Sequence, residues 1–224
     1  MSANVETALT YANDRSAVIA ALRDLGAATV HEAQGGRGAL CSAIKPVDVN
    51  SRLGGRALTV DAEPGDNLIL HHALLKANPG DVLVVDAKGY VEAGPWGDVL
   101  SEAAQLRGLA GLVIDGAVRD AAAIEEMRFP VFCRGLSIKG TGKNQPGKVG
   151  VPIVIGGTLV HTGDVIIGDR DGVVVITANE AETVLEQARR RAEKEDSFRR
   201  SLRAGRTTVE LLGLEAAIER LGLE

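Results

Sequence analysis

Helical and extended patterns alternate along most of the chain. Residues 16–25 carry apolar side chains at helical spacing, with Asp14 as a candidate cap and Gly26 at the end. The apolar run within 79–89 instead predicts a strand buried on both faces, preceded by a turn. Residues 162–175 repeat that scheme. Further strands are predicted at 56–61, 112–115, 130–134 and 151–155, and further helices at 27–34, 67–77, 99–108 and 120–127.

This alternation predicts an α/β fold with a single compact domain. Because residues 131–176 are rich in strands with little helix between them, we expect a mixed sheet or β-barrel-like core flanked by helices. We assign residues 1–178 to this domain and 179–224 to a charged C-terminal helical extension that packs at a subunit boundary. Asn179 and Glu182 form a capping signature there, Gly205 ends or interrupts the long helix, and 209–221 predict one last amphipathic helix.

Composition narrows the class of protein. The chain has 224 residues, 45% of them hydrophobic, and a net charge of −5. A mild, dispersed negative charge argues against nucleic acid or a membrane surface as partner and favours small ligands. Only Cys41 and Cys133 are present, which is typical of a reducing compartment. With no leader-like or membrane-spanning run visible, we expect a cytoplasmic protein.

Several common catalytic motifs are incomplete or absent. Gly142, Gly147 and Lys148 have phosphate-loop spacing, but Val149 stands where a hydroxyl is required and an extended run follows, so a turn or loop is predicted. The sequence also has no G-x-G-x-x-G after a strand and no G-x-S-x-G elbow. Nucleotide, dinucleotide and serine-hydrolase chemistry are therefore disfavoured.

The histidines allow more than one interpretation. His31 and Glu32 lie on the second predicted helix, where they form either a polar face with structural hydrogen bonds or part of a site wall. His71 and His72 are adjacent on a helix and point about 100° apart, so they do not readily bind one metal. A packed or hydrogen-bonded side chain is the simpler expectation for each.

The stretch from Gly94 to Asp98, G-P-W-G-D, is the first half of a candidate site. Gly97 allows the backbone to approach a ligand closely. Asp98 begins a predicted helix, where the free amides of Val99 and Leu100 can bind a carboxylate. The simpler alternative for Asp98 is a helix cap.

The second half follows the apolar run G-L-V-I-D-G-A-V. Twenty residues separate Asp98 from Arg119, enough for a helix, a turn and a returning strand that bring both halves into one cleft. Arg119 offers a planar fork for an oxoacid, and Asp120 offers a hard oxygen to Mg²⁺ or Mn²⁺. A surface ion pair, or a cap at Asp120, is the alternative. We interpret the stretch as one metal and oxoacid site.

These motifs closely resemble the class II pyruvate aldolases that cleave 4-hydroxy-4-methyl-2-oxoglutarate and 4-carboxy-4-hydroxy-2-oxoadipate. The resemblance includes A-T-V-H-E-A-Q-G, P-G-D-N-L-I-L-H, P-V-F-C-R-G-L-S and V-P-I-V-I-G-G, and covers residues 25–176. The same fold houses the regulator of ribonuclease E activity A (RraA), an inhibitor of that nuclease, and proteins labelled demethylmenaquinone methyltransferases. The chain has no S-adenosylmethionine loop, and its full set of Asp98, Arg119 and Asp120 favours the aldolase over the inhibitor.

The resemblance implies a role for each residue. Asp120 would hold Mg²⁺ or Mn²⁺, Arg119 would bind the pyruvyl oxygens, and the amides of Val99 and Leu100 would hold the substrate carboxylate, with Gly97 beside them. Asp98 would orient the water that deprotonates the C4 hydroxyl. The resemblance also implies oxaloacetate decarboxylation, a homotrimer or homohexamer, and a carboxylate from a neighbouring C-terminal helix, for which Glu193 and Glu195 both remain candidates.

Overall fold

A computed structural model describes residues 15–223, which form eight helices and ten strands. The helices are α1 (residues 15–25), α2 (Ala27–Ala33), α3 (Leu68–Lys76), α4 (Asp98–Leu106), α5 (Ala121–Met127), α6 (Ala181–Arg203), α7 (Thr208–Leu212) and α8 (Glu215–Leu221). The strands are β1 (Lys45–Pro46), β2 (Leu53–Asp61), β3 (Asp81–Tyr90), β4 (Gly111–Val118), β5 (Val131–Leu136), β6 (Lys148–Val149), β7 (Ile153–Ile155), β8 (Thr158–Val160), β9 (Val165–Asp169) and β10 (Gly172–Ile176).

Eight of these strands form one mixed sheet in the order β1-β5-β4-β3-β2-β9-β10, with β6 paired to β2. Strands β2 to β5 are parallel, whereas β1, β6, β9 and β10 pair antiparallel with their neighbours. The two ends of the sheet meet where the Lys45 ammonium donates to the Asp171 carbonyl. The sheet is therefore a nearly closed barrel, and the predicted α/β class with a barrel-like core is confirmed.

The alternation of side chains along the strands separates an inner core from an outer one. Val84, Val113 and Phe132 point into the barrel, which the β7–β8 hairpin also fills. Their neighbours Leu83 and Ile114 point outward and pack under α3, α4 and α5. Strand β4 is buried at every position, which explains why all its residues except Asp115 are small or apolar. This packing fixes the end of β4, where the candidate site begins.

A third apolar cluster joins β9 and β10 to α1, α2 and the start of α6. Ala181, Val184 and Leu185 of α6 are buried there, Ala188 is buried as well, and the rest of that helix is at most partly buried. The long helix thus has an attached first half and a more exposed second half. The proposed division at residue 178 stays a prediction, and so does the subunit contact expected of the extension.

Three sequence predictions were wrong in detail. Residues 162–175 form not one strand but the hairpin β9–β10, whose turn falls at Arg170 and Asp171. The N-cap of α6 is Glu180, with no side-chain cap bond, so Asn179 and Glu182 do not cap it. The predicted last helix is split into α7 and α8 by Gly213, which has a φ of 65°.

Other local predictions hold. Gly26 separates α1 from α2, and Gly205 follows the end of α6. The cap expected at Asp14 lies outside the described residues. No helix among residues 15–223 is both long enough and apolar enough to cross a bilayer.

Candidate functional site

The structure brings the two halves of the predicted site together at the carboxyl end of β4. Trp96 lies beside Val118 in an isolated parallel bridge, and the Arg119 N–H donates to the Trp96 carbonyl over 2.9 Å. The chain leaves along α4, returns along β4, and so places both Asp98 and Asp120 beside Gly97. The carboxyl ends of parallel strands are where α/β proteins commonly bind ligands.

Trp96 anchors the glycine-bounded loop. Its indole is fully buried and donates from Nε1 to Ser101 Oγ over 2.7 Å, while the Ser101 hydroxyl donates to the Gly97 carbonyl over 2.9 Å. The loop is also held from α3, because Asn67 Nδ2 donates to the Pro95 carbonyl over 3.0 Å. A fixed loop of this kind presents Gly97 and Asp98 in one geometry, which a binding site requires.

Gly97 is the point of closest contact between the two halves. A Cβ at this position would overlap Asp120 Oδ2 and would lie 3.0 Å from Cγ and 3.1 Å from Nε of Arg119. Gly94 is similarly close to the chain, since its Cβ would lie 3.0 Å from that of Arg119. The two glycines therefore allow both functional side chains to lie directly on the loop.

Asp120 has an unusual backbone conformation. It lies at φ 57°, ψ 37°, the left-handed region that non-glycine residues seldom occupy. Although Asp120 occupies the N-cap position of α5, its side chain makes no cap hydrogen bond. The carboxylate instead pairs with Arg119, whose Nε lies 3.2 Å from Oδ2, and this partly exposed pair is the ion pair that the simpler interpretation expected. Strained residues of this kind cluster at functional sites, so simple capping does not account for Asp120.

Asp98 is the first residue of α4, and Gly97 is the N-cap. Asp98 Oδ1 accepts a hydrogen bond from the Val99 N–H over 2.7 Å. The amide expected to hold a substrate carboxylate is therefore occupied by a carboxylate of the chain itself. A substrate that used the Val99 amide would have to displace Asp98, which would free that side chain for another partner.

These residues line a cleft of about 210 Å³. Gly97, Asp98, Val99, Leu100 and Arg119 all contribute to its wall, and Asp120 adjoins it through its pairing with Arg119. Three further side chains, which the sequence did not single out as site residues, complete the wall: Asn67, His71 and Lys143.

Lys143 reaches the cleft because the loop that carries it is clamped to the start of α3. Asp66 accepts hydrogen bonds from the backbone N–H groups of Asn144 over 2.7 Å, Leu68 over 2.9 Å and Gln145 over 3.2 Å. Burial of Asp66 opposes its ionisation, but these donors and the Lys143 charge outweigh burial and lower its pKa. The glycine-rich segment is thus a loop, as predicted, and it supplies a cation to the site.

The residues at the cleft suit a hard divalent cation bound mainly by water and substrate. Within residues 15–223 there is no group of three acidic, histidine or cysteine side chains that could enclose a metal. Mg²⁺ commonly uses one or two carboxylates and keeps several waters, which a single Asp120 can satisfy. Asn67 Oδ1 is buried and has no partner in the described part of the chain, so it offers a further acceptor at this wall. The donor set therefore fits the predicted ion.

The remaining polar candidates are the histidines and Glu32. His31 Nδ1 lies 2.8 Å from the Arg37 carbonyl, which is the structural hydrogen bond that the simpler interpretation expected. Glu32 pairs with Arg191 of α6. His71 and His72 are both exposed, so the expectation of packed side chains was wrong.

The two candidate carboxylates of α6 also differ in their surroundings. Glu195 pairs with Arg191 over 3.0 Å and with Arg199 over 3.7 Å on its own helix. Glu193 is exposed. A role for either at a neighbouring site stays a prediction.

A second polar cluster joins Asp115 of β4, Arg134 of β5 and Cys41. Arg134 Nε lies 2.5 Å from Asp115 Oδ1, and Arg134 Nη1 lies 3.9 Å from the Cys41 sulfur. The hydrogen bond from the Ala43 backbone lowers the pKa of Cys41, burial opposes this, and Arg134 assists it. Cys133 differs, since burial raises its pKa to about 11. The two thiols therefore have opposite electrostatic surroundings.

Known proteins with similar sequences and folds carry the names of both enzymes and inhibitors. A Halalkalibacterium halodurans protein with the provisional name 4-hydroxy-4-methyl-2-oxoglutarate aldolase is 39% identical over 184 residues, covering 82% of this chain and 88% of the relative. A Pseudomonas syringae structure of uncharacterised function superposes with a TM-score of 0.79 at 27% identity, covering 88% of this chain and 92% of the other.

The chain is also similar in fold to a known inhibitor. The RNA-processing inhibitor RraA from Thermus thermophilis superposes with a TM-score of 0.58 at 30% identity, covering 62% of this chain and 84% of the other. The family profile described as RraA-like, Aldolase/RraA, matches residues 8–175. The chain therefore belongs to the RraA-like Aldolase/RraA family.

Proposed function

We propose that the protein is a divalent-metal-dependent aldolase. Its substrate is 4-hydroxy-4-methyl-2-oxoglutarate or 4-carboxy-4-hydroxy-2-oxoadipate, and its products are pyruvate and a second oxoacid. The observation that carries this proposal is the contact of Arg119 and Asp120 with Gly97 in the cleft that Asp98 also lines. The provisional name of the Halalkalibacterium relative supports the same reaction class.

Each residue of the site has a separate role in carbon–carbon bond cleavage. Asp120 would hold Mg²⁺ or Mn²⁺, which when bound makes the pyruvyl fragment a better electron acceptor, and Asn67 Oδ1 offers a further acceptor from the cleft wall. Arg119 binds the oxygen of the 2-keto group and stabilises the negative charge that develops there. Lys143 and the start of α4 bind the substrate carboxylates.

Proton transfer begins at the C4 hydroxyl. Asp98 orients a water that takes this proton. The C3–C4 bond then breaks, its electron pair passes to the pyruvyl fragment as an enolate, and a carbonyl forms at C4. Protonation at C3 releases pyruvate. Oxaloacetate gives the same enolate when it loses CO₂, so decarboxylation accompanies aldol cleavage.

A second subunit is part of the proposal. Leu136 and Ile138 are 62% and 96% exposed, and Ser137 between them lies against Gly94 of the site loop. Large apolar side chains exposed together commonly mark a protein interface. We assign them to the boundary of a homotrimer or homohexamer, where Glu193 or Glu195 of a neighbouring copy can reach the cleft.

The test is conversion of oxaloacetate and of both 4-hydroxy-2-oxoacids to pyruvate. We expect turnover with Mg²⁺ or Mn²⁺, loss of turnover in EDTA, and a fall of about 10²- to 10³-fold in Arg119→Ala. Arg107→Ala, which changes an exposed arginine at the end of α4, is the matched control. Equal rates with and without metal, or full activity in Arg119→Ala, would contradict the proposal.

The alternative is a binding protein that inhibits a ribonuclease, which the similarity to the Thermus inhibitor favours. The measurement is ribonuclease activity in a purified system with the protein added. Inhibition that persists in Arg119→Ala, together with no turnover of any oxoacid, would establish the alternative.

A further inference from the structure

Three arginines line a second cleft, which lies at the opposite end of the parallel strands from the candidate site. The cleft has a volume of about 400 Å³ and lies between α1 and the turn that precedes β3. Arg15 and Arg23 reach it from α1, and Arg56 reaches it from the start of β2. Because Arg56 lies opposite Asp81, the first residue of β3, this cleft adjoins the amino ends of the strands. The candidate aldolase site adjoins their carboxyl ends.

Small residues form the floor of this three-arginine cleft and keep it open. Gly54 lies directly under α1, where a Cβ would be 3.1 Å from that of Arg23 and 3.3 Å from Cγ2 of Ile19. Gly80 has a φ of 82° and open space on the side where a Cβ would stand. The floor therefore leaves the guanidinium groups as the main functional groups of the cleft.

The positive charges are only partly neutralised. Arg23 pairs with Asp24, the next residue along the helix, over 3.2 Å, and such exposed pairs contribute little stability. Arg56 donates one hydrogen bond to Asp81 over 3.3 Å, whereas a guanidinium has five donors. Arg15 forms no ion pair within residues 15–223. Donors for an anion thus remain on all three arginines.

We propose that this cleft binds a compact polyanion, a small molecule with two or more phosphate or carboxylate groups. Arginine matches both groups with bidentate, charge-assisted hydrogen bonds. A volume of about 400 Å³ suits a small molecule. The chain's net charge of −5 disfavours general adhesion to nucleic acid and makes this concentration of arginine a local feature.

A neighbouring cleft helps to place the anionic groups. It has a volume of about 250 Å³, shares Arg15 and Arg56 with the first, and is otherwise lined by residues that include Val18, Val165 and Glu182. The carboxylate of Glu182 and the apolar side chains make that side less suitable for negative charge. The anionic groups therefore belong on the side of Arg23.

Calorimetric titration of the intact protein with tripolyphosphate and, separately, with citrate tests the proposal. We expect saturable binding of one molecule per chain, which weakens with added salt. The double variant Arg15→Gln, Arg23→Gln should weaken binding by about tenfold or more. Arg189→Gln, at an exposed position of α6, is the matched control and should bind like the wild type.

Two comparisons make the outcome specific. Binding must persist in Arg119→Ala, because the candidate aldolase site also carries cations. Tight binding of tripolyphosphate alone assigns a phosphate ligand, and tight binding of citrate alone assigns a polycarboxylate; either result supports the site. No saturable binding of either probe, equal affinity in the double variant, or loss of binding in Arg119→Ala would overturn it.

Discussion

Gly97 lies directly beneath the carboxylate of Asp120, so closely that a side chain at position 97 would overlap Oδ2. The same position is 3.1 Å from Nε of Arg119. One glycine therefore determines the position of two side chains that the proposed reaction uses. This dependence can be tested without altering either of them.

Gly97→Ala should lower the rate of oxaloacetate turnover by about 100-fold, because a displacement of about 1 Å at a reacting group has an effect of that size. The added methyl group forces Asp120 and Arg119 away from the loop. Gly140→Ala is the matched control, since a Cβ there meets nothing within 4 Å. Steady-state kinetics together with thermal unfolding would separate a displaced site from a destabilised fold; unchanged kinetics would contradict the assigned geometry.

Lys143→Gln should raise the KM for a dicarboxylate substrate by roughly tenfold and change kcat less, because the lost charge acts on binding. The smaller substrate pyruvate, followed in the reverse aldol direction, should be less affected. Lys76→Gln, at the exposed end of α3, provides the control. If kcat fell while KM stayed constant, Lys143 would have a role in the chemical step rather than in binding.

Asp66→Asn should destabilise the protein at neutral pH by about 1–2 kcal/mol, because a buried carboxylate that accepts three N–H bonds becomes a weaker acceptor. Although burial alone would raise it, the native pKa of Asp66 lies below its ordinary value of 3.8. The unfolded chain therefore binds a proton first as the pH falls, so the stabilisation is complete above about pH 5 and is lost as the pH falls through the native pKa. Denaturant unfolding of both proteins from pH 7 to pH 3 should show the difference shrink; a constant difference would contradict the assignment.

One thiol of the folded protein should react quickly with an anionic disulfide reagent at pH 8, and that thiol is Cys41. It is exposed, and the pKa of its thiol is lowered, whereas Cys133 is buried and its pKa is raised to about 11. Thiolate fraction and access together control this reaction. Cys41→Ser should remove the fast phase. Unfolding that variant should expose Cys133 and restore one reactive thiol per chain. A fast phase that survives in Cys41→Ser would contradict the assignment of the more reactive thiol to Cys41.

The local part of the site was predictable because its residues flank two consecutive elements. Asp98 begins a helix, Arg119 and Asp120 end the next strand, and the apolar pattern between them indicates both. The fold class followed from the same patterns. The hairpin within 162–175 was missed although D-R-D-G at its centre is a turn signal.

The rest of the cleft wall is formed by contacts between distant segments, and the hydrophobic pattern of the sequence does not indicate such contacts. Asn67 and His71 lie at the start of α3, and Lys143 belongs to a loop 37 residues after Leu106, where α4 ends. The Asp66 side chain and the backbone hydrogen bonds of Gly142 with Gly65 and Asn67 hold that loop at α3. A buried aspartate cannot be told from an exposed one by its sequence neighbours, so the part of the cleft wall formed by Asn67, His71 and Lys143 could be assigned only from the structure.

The position of β2 in the sheet has a consequence for how the chain folds. One edge of β2 pairs with β3, the next strand in sequence, but the other edge pairs with β9, and Thr59 N–H donates to the hydroxyl of Thr162, 103 residues later. During synthesis, at about 5–20 residues per second, that edge therefore stays unpaired until most of the chain has emerged. Contacts so distant along the chain form slowly. An open strand edge is also a template for wrong pairing, so the slow step in folding coincides with the period of greatest risk of aggregation.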